Sequence, residues 1–299
     1  MRLRTTVSGL ALSAGLALTL APTGLANAVT EDGATAKLAR HSAATTKAEQ
    51  QRVENYWTPW RMKNATPMGA KVDSKAAKKP QAGSSAVQET PQPRLGKVFF
   101  TLGGVNYVCS GTATNSSNGD VVTTAGHCLN EGPGAFATNF AFVPAYDNGA
   151  APYGTWTAQN LFTTSAWANS GDFDYDVGFA VMNENTSGQS LTQVVGSYPI
   201  AFNLARGLTY KAYGYPAAKP FNGQTLWSCS GAVMQDTYGG SQDQGLPCNM
   251  TGGSSGGGWI TSGSLNSVNS FGYTGVRNVM WGPYFGSTIQ SVYNAASVN

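Results

Sequence analysis

Cys248-Asn249-Met250-Thr251-Gly252-Gly253-Ser254-Ser255-Gly256-Gly257-Gly258-Trp259 is the stretch on which the reading of this chain turns. A serine with glycines on both sides suits an attacking hydroxyl. Neighbours without side chains let a substrate carbonyl reach the oxygen and let backbone N–H groups face a developing oxyanion. Ser255 is the candidate nucleophile. Alone, the run is equally compatible with a flexible Gly/Ser loop, so the decision falls to two distant segments.

In Val121-Val122-Thr123-Thr124-Ala125-Gly126-His127-Cys128 an apolar, β-branched run leads into a histidine. A strand end holds an imidazole more firmly than a mobile loop, as a general base requires. The chain has two histidines, and His41 lies in an N-terminal region expected to be removed, which leaves His127. In Asp172-Phe173-Asp174-Tyr175-Asp176-Val177-Gly178-Phe179-Ala180-Val181 three acids alternate into an apolar strand. With the strand starting near Asp176, that carboxylate is carried inward, where it can orient the imidazole and stabilise its charged form. Asp174 is the alternative, and the three acids also fit a solvated strand face or a cation site.

The order histidine, acid, serine discriminates further. Gly253-Ser254-Ser255-Gly256-Gly257 matches the G-x-S-x-G elbow of α/β-hydrolases, but those place the histidine after the serine, and none follows Ser255. A subtilisin order needs the acid before the histidine.

On Thr124-Ala125-Gly126-His127-Cys128, Asp176-Val177-Gly178, Gly253-Ser254-Ser255-Gly256-Gly257 and Ser270-Phe271-Gly272, the chain from about residue 96 onward resembles the chymotrypsin-fold serine proteases, of the secreted bacterial kind related to glutamyl endopeptidases. The resemblance implies an all-β protein of two antiparallel barrels, about 96–190 and 197–285, with a C-terminal helix over about 286–296. It implies a serine endopeptidase that needs no cofactor, with Ser255 as nucleophile, His127 as base, Asp176 as orienting acid and an oxyanion hole from the Gly253 and Ser255 amides. A substrate pocket is expected from Asn249, Asn269, Ser270, Phe271 and Gly272. Asn269 stands where glutamate-cleaving relatives carry a histidine, and Asn249 where trypsin-like enzymes carry an aspartate, so neutral residues are expected before the cut. Ser254 replaces the usual aspartate, which argues against activation through a buried N-terminal ion pair. A catalytically silent homologue acting as a binding module, or an esterase on the same scaffold, are the alternatives.

The body's own pattern agrees with an all-β class. Short β-type runs recur from Gly96–Leu102 to Ser267–Tyr273, separated by Gly, Asn and Ser clusters. Only the tail, with Ile289, Val292 and Tyr293, has helical spacing. Four cysteines in an exported chain imply two disulfides. Cys109 with Cys128 and Cys229 with Cys248 are favoured because each closes a local loop, and the family pattern implies the first. A metal site is not indicated, with one histidine in the body and no C-x-x-C pair.

Upstream, Arg2 and Arg4, the apolar run Leu10 to Leu20 and Ala26-Asn27-Ala28 read as a secretory signal over residues 1–28, so an extracellular protein free of the membrane is expected. Residues 29–95 read as a prosegment and linker, with one aromatic knot at Tyr56-Trp57-Thr58-Pro59-Trp60 and a Lys-, Ser-, Gln- and Pro-rich run from Lys71 to Pro93. Residues 1–97 hold 14 of the 18 Lys and Arg and 6 of the 15 Asp and Glu, leaving a body of formal net charge −5. A basic leader beside an acidic body suits an intramolecular partner that is later discarded and removes the case for nucleic acid. The expected partners are protein or peptide substrates and the chain's own prosegment, with the mature form a monomer.

Overall fold

Leu102-Gly103-Gly104-Val105 shows how the body is assembled. Both glycines have positive φ, 55° and 79°, the conformation a two-residue hairpin turn requires, and Leu102 pairs directly with Val105 across it. Away from the turn the flanking strands are buried on both faces, so their burial does not alternate from residue to residue.

The computed structural model describes residues 37–74 and 85–299; the signal expected over 1–28 lies outside the described residues. In chain order, the leader supplies β1 (Leu38–Ser42), helices α1 (Lys47–Tyr56) and α2 (Pro59–Asn64), β2 (Thr66–Pro67), β3 (Ala70–Val72) and β4 (Val87–Gln88). The first half of the body contains β5 (Leu95–Leu102), β6 (Val105–Thr114), β7 (Val121–Thr124), β8 (Thr138–Pro144), β9 (Trp156–Thr164), helix α3 (Ser165–Ser170), β10 (Gly178–Met182) and helix α4 (Leu191–Val195). The second half contains β11 (Thr209–Gly214), β12 (Trp227–Ala232), β13 (Met234–Gln235), β14 (Gln244–Pro247), β15 (Gly258–Thr261), β16 (Ser264–Val268), β17 (Phe271–Tyr273), β18 (Val279–Gly282) and helix α5 (Ser287–Ser297).

Strands β5 to β10 close into a six-stranded antiparallel barrel in the order β9-β10-β7-β6-β5-β8, with β8 pairing back to β9. Val98, Val122 and Phe142 share one face of its strands, and Phe99, Phe162 and Phe179 lie on the other under Trp57, Arg40 and Tyr293, all at or near zero exposure. The second half is two five-stranded sheets, β16-β15-β11-β12-β4 and β13-β14-β18-β17-β3, around Trp259 and Trp281. Helix α5 returns to the first barrel, where Tyr293 meets Phe179 edge-on at 5.7 Å. The fold is therefore the expected all-β one, although the second half is joined as two sheets rather than by one closed ladder.

Much of the leader is folded against the body. Strand β1 adds to the barrel edge along β9, and α1 is capped by Thr46 and Glu49 in a reciprocal capping box. Trp57 is 4% exposed, packs on Phe99 and donates its indole N–H to the Asn139 carbonyl. The Lys71-to-Pro93 run is not all linker: Lys71 belongs to β3, and Val87–Gln88 pairs with Trp227–Ser228 of β12. Glu89 accepts from Ser228 Oγ and pairs with Lys211 Nζ. Strands of two or three residues carry no periodicity that a sequence could display. Helices α3 and α4 escaped for the same reason, and β16 and β17 form two strands where one was expected over Ser267–Tyr273.

One buried charge in the barrel is testable. Lys97 is 2% exposed, donates to the Gly223 carbonyl at 2.8 Å and lies over the Tyr146 ring at 4.3 Å. Burial lowers its pKa to about 7. The unfolded chain therefore binds more protons than the native one above that pH, and this group's contribution to stability rises with pH toward the ordinary lysine pKa. Thermal melts should show the wild type gaining stability relative to Lys97→Met between pH 6 and pH 10; parallel pH profiles would rule the assignment out.

Candidate active site

His127 sits in a 3₁₀ turn, Gly126–Cys128, directly after β7. Two covalent and polar anchors fix it. Cys128 is bonded to Cys109 of β6, and the His127 backbone N–H donates to Asp176 Oδ1 at 2.7 Å. The second expected disulfide, Cys229–Cys248, is also present. Asp176 follows the 3₁₀ turn Phe173–Tyr175 and leads into β10, fully buried. Its other oxygen, Oδ2, lies 2.7 Å from His127 Nδ1 and accepts from Ser270 Oγ at 2.5 Å.

Asp174, the alternative acid, is turned elsewhere. It accepts from the Gln242 backbone at 2.7 Å, and burial pushes its carboxyl above the usual range. Asp243, which the sequence reading did not consider, lies in the same neighbourhood at 1% exposure with neither oxygen hydrogen-bonded among the described residues. Burial, with Asp174, Asp176 and Asp236 nearby, pushes its carboxyl well above the ordinary carboxyl range.

Ser255 belongs to the second half but is held against the first. Its carbonyl accepts from the Ser110 N–H at 2.7 Å. The next residue, Gly256, has φ +79°, and a Cβ there would collide with Thr124 Oγ1 and the Ser110 carbonyl, so the close approach of the serine loop to β7 depends on that glycine. Ser254 is buried and donates its hydroxyl to the Thr251 carbonyl at 2.7 Å, with no charge to offer an incoming ammonium group. Asn269 differs from expectation. It is fully buried, accepts from Trp259 Nε1, and donates to the Tyr213 and Ser254 carbonyls. Its amide braces the serine loop from behind rather than lining a substrate pocket.

The other expected pocket residues do come together. A cavity of about 760 Å³ is lined by Asn249, Ser270, Phe271 and Gly272, beside Ser255, with Arg277 also on its wall. Asn249 Oδ1 accepts from the Ala86 N–H at 2.6 Å. Arg277 is exposed. A second hollow is bordered by His127, Leu102, Tyr107 and Trp167. His127 Nε2 has no hydrogen-bond partner among the described residues. Ser255 Oγ instead donates to the Met68 carbonyl at 3.3 Å, and the Gly253 N–H donates to the same oxygen at 2.6 Å. Met68 and its neighbours were missed, because nothing in Thr66-Pro67-Met68-Gly69 marks a segment that lies on a distant serine. The one potential metal-ligand cluster among the described residues is Cys109, His127 and Cys128, and its two sulfurs are joined to each other.

Known structures share this fold. Over 72% of this chain and the whole of its own, the protease Anisep from Arthrobacter nicotinovorans is 57% identical, with a TM-score of 0.69. The thermostable serine protease AL20 from an extremophilic microorganism is 52% identical over 70% of this chain and 98% of its own, TM-score 0.67. A Glu endopeptidase shares the fold at 19% identity, TM-score 0.59, over 73% of this chain and 98% of its own. Among curated proteins, the extracellular metalloprotease of Bacillus subtilis (strain 168) is 29% identical over 137 residues, 44% of this chain; the match spans only 40% of that protein's length. No family model matches. The chain belongs to the bacterial serine proteases of chymotrypsin fold, and in class it is a serine endopeptidase.

Ser270 offers a specific test. A hydrogen bond to a charged group contributes about 1.5–3 kcal/mol, so Ser270→Ala should lower kcat/KM for a peptide substrate roughly ten- to a hundredfold with the fold intact by circular dichroism. Unchanged kcat/KM would show that Asp176 does not need this donor.

Proposed function

We propose that the protein is an exported endopeptidase in which Ser255 attacks the peptide carbonyl, His127 takes its proton and returns it to the leaving amine, and Asp176 holds the imidazole. The observation that carries this reading is the Asp176 carboxylate bound to both Nδ1 and the backbone N–H of His127. With Nδ1 donating to the carboxylate, Nε2 is the nitrogen left to act as base. The amides of Gly253 and Ser255 would bind the oxyanion; the first of them is seen donating to a carbonyl oxygen. Attack forms an acyl-enzyme, expels the amine and is reversed by water along the same path.

Export is part of the proposal. It rests on the N-terminal signal pattern, on two disulfides that suit an oxidising compartment, and on a relative described as extracellular. Among the described residues no helix is long and apolar enough to cross a membrane.

Incubation of the processed protein with a fluorophosphonate, followed by peptide mapping, tests the nucleophile. Label on Ser255 is expected. Ser255→Ala and His127→Ala should each abolish labelling and lower peptide hydrolysis by several orders of magnitude, because the groups act as a unit. Loss of activity in Ser254→Ala but not in Ser255→Ala would move the assignment by one residue.

Neutral residues are proposed before the cut. Asn249 at the cavity carries no charge, and Arg277 is exposed to solvent, where a charge attracts an acidic side chain only weakly. Burying an unpaired charged side chain in the cavity costs several kcal/mol. A peptide-library digest should give medium-sized or apolar residues at that position, in the wild type and in Arg277→Ala alike. A profile dominated by Glu, or by Arg and Lys, would overturn this.

A further inference from the structure

Residues 66–72 of the leader cross the candidate active site, and the direction in which they cross it is informative. Thr66–Pro67 pairs in parallel with Tyr107–Val108, and the Met68 N–H donates to the Val108 carbonyl at 3.0 Å. Ala70–Val72 pairs in parallel with Phe271–Tyr273, and the Thr274 N–H donates to the Val72 carbonyl at 2.8 Å. Between these anchors the Met68 carbonyl receives the Gly253 N–H and the Ser255 hydroxyl. Gly69 lies so close to the serine loop that a Cβ on it would stand 3.1 Å from Gly252 Cα.

Catalysis fixes the direction in which a substrate must run. The residue contributing the attacked carbonyl places its side chain in the cavity walled by Phe271 and Gly272, so the acyl side lies along β17. The departing nitrogen must receive the proton held by His127, so the leaving side lies toward the hollow that His127 shares with Leu102 and Tyr107. A substrate therefore runs from β17 to β6. Residues 66–72 run from β6 to β17. Met68 borders the hollow beside His127 and not the cavity, whereas Gly69 and Ala70 border both, so it is the parallel register with β6 and with β17 that sets the reversed direction. The Ser255 hydroxyl is spent on the Met68 carbonyl, and His127 Nε2 is left without a partner among the described residues.

We propose that residues 66–72 are an inhibitor in cis, threaded through the active site with reversed polarity, which fills the oxyanion hole without presenting a cleavable bond. The inference rests on the catalytic reading given above. Main-chain pairing on both sides holds the segment whatever its side chains, and reversal keeps the Met68–Gly69 bond intact in an otherwise assembled site. Activation then requires a cut elsewhere in the leader followed by release of the segment, rather than cleavage where it binds.

Two experiments on the full chain test this. In a Ser255→Ala background, Lys71→Cys with Gly272→Cys joins residues that are register partners in the reversed arrangement. Mild oxidation should form that disulfide and should not join Lys71→Cys to Tyr107→Cys. The opposite pattern, which substrate-like threading produces, would overturn the proposal. With Ser255 present, the wild-type precursor should react slowly with a fluorophosphonate. Gly69→Val, whose side chain presses on Gly252, should react about tenfold faster or more, because labelling tracks the fraction of open sites. Equal rates, or terminal sequencing that finds a cut at Met68–Gly69 made by the precursor itself, would count against it. If the 71–272 disulfide forms but even the processed body never labels at Ser255, the catalytic reading fails while the threading stands.

Discussion

A carboxylate taken out of water must be surrounded by donors, and Asp176 is where that requirement ties the molecule together. Burying an ionised carboxylate carries a penalty of several kcal/mol unless its oxygens are hydrogen-bonded. Three donors meet it: the His127 backbone, the His127 ring and the Ser270 hydroxyl. The first two come from the turn after β7 in the barrel; the third comes from the second half, one residue before β17. Each half supplies part of a shell that neither completes alone. The Cys109–Cys128 bond and the Ser110-to-Ser255 hydrogen bond then hold the turn and the serine loop on either side of that carboxylate.

The motifs of the candidate site were legible in the sequence because the chemistry restricts residue type. Only one histidine remained once the leader was set aside, a glycine-flanked serine is rare outside a nucleophile loop or a linker, and the order of the three groups excluded two other folds. Long apolar strands such as β5 and β9 were legible through burial on both faces. What stayed hidden has a common physical character. Strands β2, β3 and β4 are too short to show a period, and their partners lie tens to hundreds of residues away. Asn269 was misplaced for a different reason: spacing put it beside the pocket, but a side-chain amide has the donors and acceptor to satisfy Trp259, Tyr213 and Ser254 at once, and turning inward satisfies all of them.

Charge was the weakest guide to how the leader is held. The basic leader and acidic body invite an account in terms of ion pairs, yet of the two pairs seen among the described residues His127–Asp176 lies within the body, and Lys211–Glu89, which joins leader to body, has its acid on the leader. Lys47, Arg52, Lys63 and Lys71 take part in neither. Beyond that one pair, docking is by strand addition of β1 to β9, by Trp57 inserted against Phe99, and by Asn183, whose amide donates to the Ala44 carbonyl and whose oxygen accepts from Gln50. Opposite net charges draw the two parts together over a distance, whereas exposed ion pairs add little once they touch.

This division of labour bears on how such a leader can be strong and still removable. Main-chain pairing and one buried indole bind without regard to the residues facing the cavity, so the site's preference for a substrate side chain is never engaged while the leader is in place. Anchors at β1, α1 and β3 are linked through a single chain, and each raises the effective concentration of the next. Cutting that chain turns a cooperative intramolecular contact into several weak ones. The Met68 carbonyl, held at Gly253 by a hydrogen bond that any peptide can make, is then in competition with every substrate carbonyl in solution.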